Sequence, residues 1–94
     1  MRVKWLEAAL ANLDAEVDDI SEENAGAALR MGVAVLDAVN ELKRFPALGR
    51  PGRVVGTREL VVLGTPYIVP YRVRGNSVEI LRVFHAARRW PNEF

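Results

Sequence analysis

The chain has 94 residues, half of them hydrophobic, with no cysteine, one histidine and a formal net charge of +1. That length supports one modest core and a single domain over 1–94, and the composition excludes a disordered polyelectrolyte. Without cysteine there is neither a disulfide framework nor a thiolate metal site, and without an apolar run near the roughly 18 residues of a membrane span the expectation is a cytoplasmic protein that does not touch a membrane.

Residues 2–5 alternate, with Val3 and Trp5 on one side, and read as a short strand. The period then lengthens. Leu6, Leu10, Leu13, Val17 and Ile20 step by four and three, which predicts one helical stripe, with Asp14, Asp18 and Glu22 on the wet side. Asn24 suits the N-cap of a second helix from Ala25, on which Met31, Val35, Ala38, Leu42 and Phe45 repeat the stripe. Lys43 and Arg44 complement the dipole at its end and Pro46 closes it. The short connection predicts an antiparallel helical hairpin.

Two prolines and three glycines make 46–56 a loop. Beyond it the period becomes two. Strands are predicted over 57–63, 67–73 and 77–84, with Gly75-Asn76 as a tight hairpin turn and Pro70 requiring a sheet edge or a bulge. Residues 86–94 form a tail. The expected fold is α+β: an N-terminal strand, then an antiparallel helical hairpin packed on a C-terminal three-stranded antiparallel meander.

Charge is segregated along this plan. Residues 1–42 carry three basic and nine acidic side chains, a net of −6; residues 43–94 carry ten basic and three acidic, a net of +7. Nine of those ten cations are arginine, whose planar fork suits phosphate and carboxylate. The lone histidine, His85, follows the last strand and is flanked in sequence by Arg82, Arg88 and Arg89, with Arg58 and Arg72 on neighbouring strands and Trp90 close by. Guanidinium groups, an aromatic ring and a group titrating near neutrality are the parts needed to hold a phosphodiester, stack a base and protonate a leaving oxygen. The plainer reading gives the arginines to ion pairs with Glu59 and Glu79, the tyrosines Tyr67 and Tyr71 to the core, and the acidic stretch Asp14–Glu23 to the wet face of the first helix. Neither a metal site nor a cofactor loop can be read from the sequence.

Several segments carry a resemblance: Glu41-Leu42-Lys43-Arg44-Phe45-Pro46 with Gly49-Arg50, then Gly56-Thr57-Arg58-Glu59-Leu60-Val61, Pro66-Tyr67-Ile68-Val69-Pro70-Tyr71-Arg72-Val73, and Val78-Glu79-Ile80-Leu81-Arg82-Val83 with His85. Together they resemble the RelE/ParE superfamily of toxins from bacterial type II toxin–antitoxin modules. The resemblance implies growth arrest by a small toxin and neutralisation by a cognate antitoxin. It implies one of two targets. RelE-like members cut messenger RNA on the ribosome, for which Arg58, Arg82 and His85 are the candidate catalytic residues and Arg72, Arg88, Arg89 and Trp90 the candidate substrate contacts. ParE-like members inhibit DNA gyrase without enzymatic chemistry, for which the surface around Arg88, Arg89 and Trp90 is the candidate contact. Two departures from the nuclease pattern stand out: Leu60 occupies a second basic position, and no tyrosine follows His85.

Overall fold

The computed structural model describes residues 1–94. Strand β1 (Arg2–Trp5) leads into helices α1 (Glu7–Ser21) and α2 (Ala25–Asn40), then a single 3-10 turn (Glu41–Lys43). Strands β2 (Arg50–Pro51), β3 (Arg58–Val61), β4 (Tyr67–Arg74), β5 (Ser77–Ile80) and β6 (Phe84–His85) follow. The α+β expectation holds, with the hairpin of α1 and α2 on one face of the sheet.

The sheet is larger than a meander. Its order is β1-β5-β4-β3-β2, with β6 also paired to β4. β1 adds in parallel to β5, Val3 opposite Val78 and Trp5 opposite Ile80; the other pairings are antiparallel. The strand expected over 77–84 is broken. Between the pairs Tyr71–Ile80 and Ile68–Phe84, three steps along β4 correspond to four along its partner, so one extra residue is accommodated there. Pro70 explains the position. Its carbonyl accepts from Leu81 N–H at 3.0 Å, so its missing donor also points to that side, where the ladder is interrupted. Pro70 therefore marks a bulge beside a central strand rather than an edge.

Local signals set most boundaries. Asn24 caps α2, its Oδ1 accepting the Ala27 N–H at 2.9 Å. Arg74 pairs with Ser77 across Gly75-Asn76, and Gly75 has φ +58°, the left-handed first position of a type II′ turn. Gly49 is required by packing, because a Cβ there would lie 2.6 Å from the Tyr71 ring. The Tyr71 hydroxyl accepts the Gly49 N–H and donates to the Pro46 carbonyl, both at 2.8 Å, and so anchors the 46–49 loop.

The core lies between hairpin and sheet. Ala9, Leu13, Met31, Val35, Val39 and Leu42 meet Leu60, Val62, Tyr67, Val69, Tyr71, Val78, Ile80 and Val83. The inner stripe of α1 differs from the predicted one. Ala9, Leu13 and Glu16 are buried, whereas Leu10 is exposed. The predicted stripe is rotated from the true one because a buried carboxylate broke the apolar pattern. On α2, Ala28, Met31, Val35 and Val39 face inward, and Phe45 lies outside.

Candidate functional site: a basic open sheet face

Register assigns each candidate side chain to a face, because directly paired residues point the same way. Tyr67, Val69 and Tyr71 point to the helices. Arg58 pairs with Tyr71 and His85 with Tyr67, so both share the helix-side face. Arg72 pairs with Glu79, and Phe84 with Ile68, on the opposite, open face. The Arg82 guanidinium lies 5.6 Å from the Phe94 ring centroid, and Phe94 stands 6.1 Å from Phe84, which puts Arg82 on the open face too. The imidazole and the guanidinium groups of Arg72 and Arg82 thus occupy opposite sides of the sheet.

The open face is the basic face of the molecule. Arg2 and Lys4 project there from β1, Lys4 beside Glu79. Glu59 is buried and gathers two arginines. Its Oε2 accepts the Arg53 backbone N–H at 2.8 Å and Nε–H at 3.0 Å, and its Oε1 accepts Arg50 Nη2–H at 3.2 Å. Burial pushes the Glu59 carboxyl upward, but the bonds from Arg53 and Arg50 overcome it and hold the group below the usual carboxylate range. Glu79 repeats the arrangement. It accepts Arg72 Nε–H at 2.6 Å, with Arg74 at 3.8 Å. The Arg72 bond, aided by the charges of Arg72, Arg74 and Lys4, lowers the Glu79 carboxyl against its desolvation. Each carboxylate therefore organises two guanidinium groups, each pair keeping an excess positive charge. Arg50 and Arg53, which the sequence reading passed over, belong to this surface as firmly as Arg72 and Arg82.

The tail after β6 supplies aromatic rings to the same face. Trp90 stands 4.9 Å from Phe84, and the Arg53 guanidinium stacks 3.6 Å from the Trp90 ring centroid. The buried Trp90 Nε1–H has no acceptor. Arg89 is exposed beside it.

The remaining candidates have other employment. Arg58 donates to the Gly49 carbonyl at 2.8 Å and secures the loop before β2. Arg88 pairs at 2.7 Å with Glu16. The expected wet face of α1 is corrected here: Glu16 is buried and also accepts the Tyr67 hydroxyl at 2.9 Å, because the sheet presents a phenol that needs an acceptor. Burial, with that bond second, raises Tyr67 to about 12. His85 packs edge-on against Tyr67 at 5.6 Å between ring centroids, and its Nδ1 accepts the Ala87 N–H at 3.1 Å. No group of three or more His, Asp or Glu side chains converges as metal ligands would, and no helix is long and apolar enough to cross a membrane.

Comparison with known proteins places this geometry. The family described as the ParE toxin of the type II toxin–antitoxin system parDE matches residues 3–90. Y4kP of Sinorhizobium fredii is 44% identical over 90 residues, covering 96% of this chain and 93% of the relative. Toxin RelE2 of Caulobacter vibrioides is 39% identical over 87 residues, covering 93% and 97%. A solved structure of the chromosomal ParDE toxin–antitoxin system from P. aeruginosa superposes with a TM-score of 0.83 at 32% identity, covering 90% of this chain and 95% of that one. With the match spanning both the hairpin and the arginine-bearing strands, the chain belongs to the ParE toxin family, within the RelE/ParE superfamily of type II toxin–antitoxin modules.

Proposed function

We propose that this toxin arrests growth by binding, with DNA gyrase as its target in the cytoplasm, and that a cognate antitoxin silences it. The observation that carries the reading is the separation of the lone imidazole from Arg72 and Arg82, with Arg58, on the imidazole's own face, committed to the Gly49 carbonyl. Metal-free RNA cleavage requires an acid and phosphate-binding cations around one phosphodiester, within hydrogen-bond reach of it. His85 points to the helix side against Tyr67, while Arg72 and Arg82 point to the other side. A binding toxin needs no proton transfer. It needs a preorganised surface, which the paired arginines and the Phe84–Trp90–Phe94 cluster offer. In this reading Arg53, Arg72, Arg82 and Trp90 contact the target, with Arg89 at the rim. The Trp90 N–H gains an acceptor there, relieving a buried orphan donor that costs about 1–3 kcal/mol.

The test is to induce the protein in a bacterium and map message 5′ ends alongside gyrase-trapped DNA breaks. Accumulated breaks with intact messages are expected. Codon-phased cleavage of messages with undisturbed gyrase would replace this reading by the ribosome-dependent nuclease.

A further inference from the structure

The open face has two ends of different chemistry. At one end Phe84, Trp90 and Phe94 cluster where Phe84 pairs with the buried Ile68. At the other end the pairings set two rows across β1, β5 and β4: Arg2–Ser77–Arg74, then Lys4–Glu79–Arg72. All six side chains share the open face, because directly paired residues point the same way and the intervening Val3, Val78 and Val73 point to the other. This end therefore holds four cations, one carboxylate and no apolar side chain. The rows lie about 7 Å apart along the strands, and each is about 10 Å wide.

The fold does not use up this charge. Glu79 takes Arg72 at 2.6 Å and Arg74 at 3.8 Å. Arg2 and Lys4 are exposed and close no salt bridge. Cations on the free edge strand β1 discourage edge-to-edge aggregation. Arg72 and Arg74, however, stand two strands inside that edge. Four cations against one carboxylate leave +3 on the patch.

Chemistry specifies the occupant. A protein partner is anchored by an apolar centre with charge at its rim, and this end has no such centre. A single-stranded nucleic acid is held by rings that stack its bases. Here the rings lie at the far end of the face, where Arg53 already covers Trp90 and Arg82 faces Phe94. A duplex hides its bases and presents phosphates, one charge per about 1.7 Å of axis, for which cations alone suffice.

We propose that the ladder of Arg2, Lys4, Arg72 and Arg74 grips the phosphate backbone of duplex DNA without reading its sequence. The proposal rests on the gyrase reading for its purpose: the aromatic end takes the enzyme, and the ladder holds the DNA that the enzyme carries. Binding of the full-length toxin to a short mixed-sequence DNA duplex, with no gyrase present, is measured by fluorescence anisotropy as salt is raised. The logarithm of affinity should fall against that of salt with a slope of about −3, as about three phosphates are neutralised. Lys4→Ala with Arg74→Ala should weaken binding at least tenfold and flatten the slope by about 2. The fold should be kept, because Glu79 retains Arg72. Arg30→Ala with Arg44→Ala removes the same charge from the hairpin side and should change affinity less than twofold. Equal losses from both pairs would assign binding to net charge and overturn the ladder, as would no duplex binding at low salt. Tighter binding of single-stranded RNA than of the duplex would overturn the choice of DNA. Because the assay contains no gyrase, undisturbed gyrase in the induced bacterium removes the toxin's target but not a measured ladder. A ladder that fails leaves gyrase binding by the aromatic end standing.

Discussion

The two faces of one sheet are built on opposite principles. The helix-side face is dry: Val35, Leu42, Tyr71 and Ile80 are fully buried, and its one carboxylate, Glu16, is spent on Tyr67 and Arg88. The open face is polar and preorganised, each of its two carboxylates holding two arginines in place. The exposed surface of the hairpin beyond the dry core is acidic, through Glu7, Asp14, Asp18, Asp19, Glu22, Glu23, Asp37 and Glu41. The molecule is thus electrically two-sided. Stability is concentrated on one side of the sheet and, in the proposed function, recognition on the other, so substitutions on the two sides should separate the two properties.

The largest effect expected is on the open face. Removing two target-facing guanidinium groups with Arg53→Ala and Arg82→Ala forfeits charge-assisted bonds of about 1.5–3 kcal/mol each. A hundredfold or greater loss of target affinity should follow in a pull-down titration, with the melting temperature lowered by only a few degrees, because Glu59 keeps the Arg50 guanidinium and the backbone N–H of residue 53. On the helix side the pattern reverses. Leu42→Ala should cost about 2–5 kcal/mol and lower the melting temperature by roughly 10 °C or more, read by calorimetry, while the folded fraction keeps its affinity. Smaller again, Glu16→Ala leaves the Tyr67 hydroxyl buried without its acceptor and frees Arg88, for a loss of about 1–3 kcal/mol in urea titration.

The subtlest separation is in pH. Glu59 and Glu79 have carboxyls lowered by folding, so their contribution is complete above the unfolded value of about 4.3 and is lost as pH falls through the lower folded values. Tyr67 is raised from 10.0 to about 12, so its contribution is complete below pH 10 and is lost as pH rises toward 12. The open face should therefore fail in acid and the helix-side face in alkali. Glu59→Gln should flatten the acid limb of a stability–pH profile, and Tyr67→Phe the alkaline limb; a limb unchanged by its substitution would reject the assignment.

Much of the architecture was legible because it rests on local rules. Period, cap and turn residues located both helices and the Gly75-Asn76 hairpin, and limited Pro70 to a sheet edge or a bulge, between which only the strand pairing decides. The parallel seat of β1 was not legible, since its register with β5 is a long-range choice that Val3 and Trp5 do not encode locally. Glu16 was read as solvated because its acceptor role depends on Tyr67, 51 positions away. The arginines were recognisable as a class, but alternation decides which face each one serves. One residue of offset at the bulge sends Phe84 to the open side and His85 to the helices, and that offset becomes visible only when the strands are paired. Nothing in the sequence assigns Arg50 and Arg53 to the site, because they flank a loop where no period marks a face, and only the buried Glu59 draws them into it.

The separation of His85 from the arginine face is the point on which the functional account turns, and growth arrest measures it directly. On induction, His85→Ala should stop growth as the parent does, while the paired Arg53→Ala and Arg82→Ala variant should grow. A harmless but folded His85→Ala protein, still captured by its antitoxin, would contradict the account and return the imidazole to the centre of the toxin's chemistry.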